Sequence, residues 1–268
     1  MTIEEQKSRA RHLAICVEYD GSCFHGWQMQ ANANSVQQTL AEAWQELTGE
    51  NIIITGCSRT DAGVHAENHV SDFFTDIKIP IDKVPLAFNS CLPDGVAVKA
   101  CTEVPLDFNS RFSACGKLYT YDFSNHMIRP ARRRNFVAHV PGDLDYAAMC
   151  EAAAAFLGEH DFSAVHDVGT PVKSKVRTIN RCELTRRGTD FRLWIAGDGF
   201  LYHMVRIITG TIIYVGQGKL QAAEIPELLL AKDRRKLGKT MPPQGLTLQS
   251  VIYRPQIFTE SEDGYNLE

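Results

Sequence analysis

The chain has 268 residues, 44% of them hydrophobic and 22% charged, with a formal net charge of −4. That composition is globular: no apolar run approaches the roughly 18–20 residues of a membrane-crossing helix, and the opening MTIEEQKSRARH lacks the apolar stretch of a secretory leader. Residues 1–116 carry 8 basic and 15 acidic groups, residues 117–259 carry 20 and 13, and the tail ESEDGYNLE adds 4 acids, an asymmetry that points to a polyanionic partner for the second half.

Residues 1–11 are polar and expected to form a flexible tail. LAICVEYDG (13–21) predicts a buried strand ending in a turn at Asp20-Gly21. SVQQTLAEAWQELTG predicts a helix, with Ser35 and Gln38 as a capping box, Val36, Leu40, Ala43, Trp44 and Leu47 at helical spacing, and Gly49 as the stop. NIIITGC and HVSDFFT (69–75) predict strands, the second with partial alternation. IDKVPLAFNSCLP predicts a short helix, and GVAVKACTEV another strand. The order is β-α-β-β-α-β, that of a ferredoxin-like split βαβ unit. NSRFSACGK (109–117) predicts a linker.

The second half repeats the order without repeating residues. KLYTYDFS alternates as a strand. YAAMCEAAAAFLGEH predicts a helix ending at Gly158. HDVGTPVKSKVRTI (166–179) predicts a long loop of the kind that often carries function. RCELTRRGTDFRLWIAG predicts a hairpin, LYHMVRIITGTIIYVG an apolar helix whose β-branched residues weaken its propensity, and LTLQSVIY a closing strand. The chain therefore reads as α+β: two ferredoxin-like halves, 12–113 and 114–258, which with their sheets side by side would leave a cleft along the junction. Residues 259–268 read as a second flexible tail. The 8 cysteines contain no C-x-x-C, the pattern of reduced, mostly buried thiols in a cytosolic protein.

Several residues admit both a structural and a chemical reading. Asp61 in SRTDAGVHA is either a turn former or a carboxylate kept ionised beside Arg59. Cys57, His65 and His69 resemble metal ligands, but the flanks read as strand, where i and i+4 do not converge as they do on a helix. YDGSCFHGWQMQ is either a hairpin with buried Phe24 and Trp27 or a loop meeting RNA bases. Tyr119 and Tyr121 share one strand face and either pack in the core or stack on a base. Arg206, set among Met204, Val205, Ile207 and Ile208, either snorkels or pairs with a carboxylate, for which Asp61 is the candidate. RPARRR (129–134) and KDRRK (232–236) are either solvated runs or phosphate contacts.

SRTDAGVHA closely resembles the active-site motif of the tRNA pseudouridine synthase A family, G-R-T-D-A-G-V-H. EYDGSCFHGWQMQ, SVQQTLAEAW, FNSRFSACGKLYTY, HMVRIITGTIIYVGQGK and PPQGLTL resemble its other blocks, in the same order, over roughly residues 13–254. The resemblance implies an isomerase converting uridine to pseudouridine at positions 38, 39 and 40 of the tRNA anticodon stem-loop. It implies Asp61 as catalytic aspartate, Arg59 as support for base flipping, Tyr119 as active-site tyrosine, Arg206 as partner of Asp61 and Leu246 as packing for the target base. Arg132, Arg133, Arg134, Lys173 and Arg177 are the candidate RNA contacts. The resemblance also implies two ferredoxin-like halves forming one extended antiparallel sheet flanked by helices, and a homodimer; a cytoplasmic location and no cofactor or metal belong to the same expectation. Ser58 stands where the family has glycine, and Lys175 where proline is common. The rival reading is a non-catalytic RNA-binding or RNA-folding protein on the same scaffold.

Overall fold

The computed structural model describes residues 2–167, 169 and 172–258. These residues divide into two compact units. The first lies within Met1–Ala62, Ala66–Cys115 and Val251–Glu268, the second within Gly63–His65 and Gly116–Ser250.

The first unit contains α1 (Ile3–Gln6), β1 (Arg11–Tyr19), α2 (Val36–Thr48), β2 (Thr55–Gly56), β3 (His65–Thr75), α3 (Val84–Asn89) and β4 (Val96–Glu103). Its strands run β4-β1-β3, with β2 beside β3, all antiparallel. Helix α2 begins where expected. Ser35 is extended and its side chain accepts from the Gln38 amide, while Gly49, at φ 76, closes the helix. The capping box is half formed, because the Gln38 side chain turns to Glu42 instead of back to Ser35. The helix buries Val36, Leu40, Ala43 and Trp44, and the Trp44 ring meets Phe73 and Phe88 at 5.0 and 4.8 Å. Burying a large apolar side chain contributes about 1.5–3 kcal/mol, so this cluster anchors the unit.

Three expectations are corrected here. Strand β3 starts at His65, four residues early, and shows no alternation, since Ser71, Asp72 and Thr75 are as buried as Val70 and Phe73. Each of these polar side chains has an internal partner, His69, His12 and Glu50 respectively, so burial carries no unpaired polar group. NIIITGC pairs only through Thr55–Gly56; Ile52 and Ile54 are buried without joining the ladder. The opening residues include a helical turn, and Arg9 donates to the carbonyls of Phe74 and Asn51 at 3.1 and 2.9 Å.

The second unit contains β5 (Ala114–Ser124), β6 (Ala138–His139), α4 (Tyr146–Ala154), β7 (Gly158–Asp161), β8 (Val176–Arg187), β9 (Asp190–Gly197), α5 (Met204–Gly216), α6 (Ile225–Ala231) and β10 (Leu246–Tyr253). The last three residues of β10 cluster with the first unit. The order is β10-β5-β9-β8-β7, and β6 lies parallel to β5. The β8–β9 hairpin turns at Gly188, at φ 63. Helix α5 forms despite its β-branched residues because 11 of its 13 residues are buried, and tertiary burial outweighs intrinsic propensity. Helix α4 stops at Ala154, before Gly158, and that glycine opens β7 instead. Strands β6 and β7 and helix α6 carry no signal that the sequence reading picked up.

None of the 8 cysteines is in a disulfide, but only Cys16, Cys57 and Cys182 are buried, fewer than expected. Burial pushes the Cys16 thiol up to about 11 and those of Cys101 and Cys182 to about 12. Among the described residues no helix is long and apolar enough to cross a membrane. The acidic tail beyond Phe258 lies outside the described residues.

Candidate active site

Asp61 is half-buried, in an irregular segment between β2 and β3. The backbone on either side is fixed by its neighbours. The Cys57 amide donates to the Val70 carbonyl at 2.9 Å, and the Trp27 amide donates to the Thr60 carbonyl at 3.1 Å. Thr60 Oγ1 lies 2.8 Å from the Tyr19 hydroxyl. His69 stacks on Trp27 at 3.8 Å, its Nε2–H donates to the Ser58 carbonyl at 2.9 Å, and its Nδ1 lies 3.1 Å from Ser71 Oγ. Two sequence blocks separated by some thirty residues are thus one physical object: the YDG…HGW segment is the bed on which SRTDAG rests.

Two glycines are required by that contact. A Cβ on Gly56 would sit 2.4 Å from the Trp27 ring. Gly26 has φ +92, and a Cβ there would sit 2.7 Å from the Thr60 carbonyl oxygen and 3.2 Å from the carbonyl carbon of Asp61. Gly26→Ala is therefore expected to cost about 1–3 kcal/mol, from positive-φ strain plus displacement of the 60–61 backbone. Gly49→Ala is the comparison: it shares the positive φ but meets nothing within 4 Å. Thermal unfolding of both variants checks this, and equal losses would mean that the Thr60 contact is not a restraint.

The second unit supplies the other candidate groups. Tyr119 and Tyr121 project from β5 opposite Ile195 and Leu193, and both are buried. Tyr119 meets Phe200 edge-on at 5.2 Å. The Tyr121 hydroxyl donates to the Pro242 carbonyl at 2.6 Å. Burial pushes its phenol far above the usual range, and Arg206 draws it partly back, so it remains a donor at any ordinary pH. Arg206 is half-buried in the first turn of α5. Its Nε donates to the Met241 carbonyl at 2.6 Å, and its own carbonyl accepts from the Met241 amide at 3.2 Å. Leu246 is buried at the start of β10, five residues beyond Met241. The structure therefore brings Arg206, Tyr121 and the 241–246 segment together. Sequence reading named Arg206, Leu246 and Tyr121 but missed the bonds of Tyr121 to Pro242 and of Arg206 to Met241; Met241 carried no signal beyond its place just before the PPQGLTL block.

Apart from Arg59, which lies in the Asp61 segment itself, the basic candidates lie outside these clusters. Arg59 is exposed. Arg132 and Arg133 end a 3-10 turn, Ala131–Arg133, and Arg134 follows it, all exposed. Arg133 binds both carboxylate oxygens of Asp190, at 3.0 and 2.9 Å. Lys173 is exposed, and Arg177, half-buried on β8, donates to the carbonyls of Ser174 and Val176. The metal-like residues are otherwise engaged: His65 Nε2 lies 2.8 Å from the Asn135 carbonyl, and His69 holds the Asp61 loop. Among the described residues no group of three or more His, Cys, Asp or Glu side chains is placed to hold a metal ion.

A family model described as tRNA pseudouridine synthase matches residues 15–113 and 152–254. The chain is 47% identical to the tRNA pseudouridine synthase A of Ruminiclostridium cellulolyticum over 244 residues, 91% of this chain and 100% of that one. It is 44% identical to the protein of that name from Caldicellulosiruptor saccharolyticus and 45% identical to that from Acetivibrio thermocellus, each over 243 residues, 91% of this chain and all of the relative. Among solved structures, a chain of a Cbf5-Nop10-Gar1 complex is similar at a TM-score of 0.39 and 10% identity, over 94% of this chain and 51% of that one. On the full-length identity of these relatives and the match over both units, this chain belongs to the tRNA pseudouridine synthase family.

Proposed function

We propose that the chain isomerises uridine to pseudouridine at positions 38, 39 and 40 of the tRNA anticodon stem-loop, with Asp61 as the catalytic carboxylate. The observation that carries this reading is the fixed backbone at 57–61, which presents a half-buried carboxylate from a bed of Trp27, His69, Tyr19 and Gly26. A turn aspartate with no task would not need such support. The same reading takes each unit as a ferredoxin-like half and the enzyme as a cytoplasmic homodimer.

The chemistry needs few groups. The C1′–N1 bond breaks, the uracil turns, and C5 bonds to C1′; the C5 proton leaves and N1 gains one. Nothing is oxidised and no energy carrier is consumed. The base must first leave its stack, a step that Arg59 supports. Asp61 then serves the sugar by stabilising positive character at C1′, attacking it, or taking the C2′ proton. Tyr119 stacks on the uracil and assists loss of the C5 proton. Leu246 packs against the base, and Arg206 keeps Asp61 ionised and aimed. The test is tritium release from tRNA carrying C5-labelled uridine. Release matching the target uridines supports the reading; tRNA binding without release would leave a non-catalytic RNA-binding protein.

The charge asymmetry gives a separate expectation. If the second half supplies most phosphate contacts, log affinity falls with log salt at about −0.7 to −0.9 per neutralised phosphate. Replacing Arg132, Arg133 and Arg134 together with Ala should flatten that slope by up to about 2–3 units. Arg133 should contribute least, because binding phosphate means leaving Asp190. Titrations of tRNA at several salt concentrations read this directly. An unchanged slope would move the RNA path to Lys173, Arg177 and the KDRRK run.

A further inference from the structure

A polar cluster of the second unit is built on Asp167. Its Oδ2 accepts from His203 Nδ1 at 2.8 Å and from Thr240 Oγ1 at 2.9 Å, and its Oδ1 accepts from Arg234 Nε at 3.1 Å. Arg234 closes the network by donating to Thr240 Oγ1 at 2.9 Å and to the Gly238 carbonyl at 2.8 Å. Burial alone would raise the Asp167 carboxyl, but the hydrogen bonds from His203, Thr240 and Arg234 outweigh it and hold the group below the usual carboxylate range.

Two of the four members are attached to Arg206. His203 is the N-cap of α5, one turn before Arg206, and it holds the left-handed conformation at φ 61 without a side-chain cap bond. A non-glycine residue there is strained and persists only where its surroundings fix it; here Asp167 grips the ring from one side while Tyr202 stacks at 3.7 Å. Thr240 immediately precedes Met241, whose amide and carbonyl both bond Arg206. One carboxylate thus fixes the helix start that carries Arg206 and the strand of backbone that receives its Nε.

We propose that Asp167 is a positioning residue for the isomerisation, setting the direction of the Arg206 guanidinium by anchoring His203 on one side and Thr240 on the other. The inference rests on the proposed function, and it predicts where the loss falls. Removing the anchor leaves the RNA-contacting surface in place but lets the guanidinium wander, so the chemical step suffers while binding does not.

The experiment is single-turnover tritium release and tRNA affinity for Asp167→Ala, Asp167→Asn and Arg206→Lys, and for each Asp167 variant combined with Arg206→Lys. The expected result is a rate at least 10-fold lower for Asp167→Ala with affinity within about 3-fold of wild type. Combined with Arg206→Lys it should slow the reaction no further than the slower single variant, because two changes acting through one group do not multiply. Asp167→Asn keeps the shape and one acceptor, so it gives the same reading from a smaller loss if the alanine variant folds poorly. A wild-type rate in both Asp167 variants, a loss confined to affinity, or rates that multiply with Arg206→Lys would each overturn the proposal while leaving the proposed function intact. Absence of tritium release from the wild type would overturn both.

Discussion

Asp61→Asn should bind tRNA within a few-fold of wild type and form pseudouridine too slowly to detect. The substitution keeps size and shape, and it leaves in place the bonds from Trp27 to the Thr60 carbonyl, from Tyr19 to the Thr60 hydroxyl and from His69 to the Ser58 carbonyl. The loop should therefore hold its course, and the charge alone is lost. A neutral amide neither stabilises positive character at C1′ nor takes a proton, and loss of a positioned acid–base group alone costs about 10²–10⁴-fold. Turnover above a tenth of wild type, measured by tritium release at saturating tRNA, would remove Asp61 from the chemistry.

Arg206→Met is expected to show the next largest effect. Methionine replaces the aliphatic stem, so the packing of α5, buried along most of its length, is largely preserved. The guanidinium is not replaced, and the Met241 carbonyl loses its donor at 2.6 Å. A charged hydrogen bond is worth about 1.5–3 kcal/mol, and under the proposed function the Asp61 carboxylate loses its cationic partner as well. Together these predict a lower melting midpoint and a rate reduced by at least 100-fold. Arg206→Lys keeps the charge on a similar stem but loses the planar fork, and should fall between. If Arg206→Met retains more than half the wild-type rate, helix α5 needs only the stem of Arg206, and Asp61 takes its orientation from elsewhere.

The sequence by itself determined most of the elements and the identity of the candidate catalytic groups, because both are written in local signals. Helix α2 follows from Ser35, Gly49 and the apolar spacing between them, the β8–β9 hairpin from Arg187-Gly188-Thr189 between strands, and Asp61 from its motif. Helix α4 ends short of Gly158 because that glycine, a reasonable stop signal, serves as the first residue of β7. Strand β3 departs from the expected alternation because His12, Glu50 and His69 satisfy polar groups that would otherwise mark a solvent face. Only the tertiary structure decided what holds the functional segments. Gly26 is indispensable through a carbonyl 34 residues away, and Asp167 gathers residues 203, 234 and 240 around one carboxylate. Periodicity and turn chemistry act over a few residues, whereas a hydrogen bond or a close backbone contact depends only on distance in space. The residues that place a catalytic group therefore leave no local pattern along the chain.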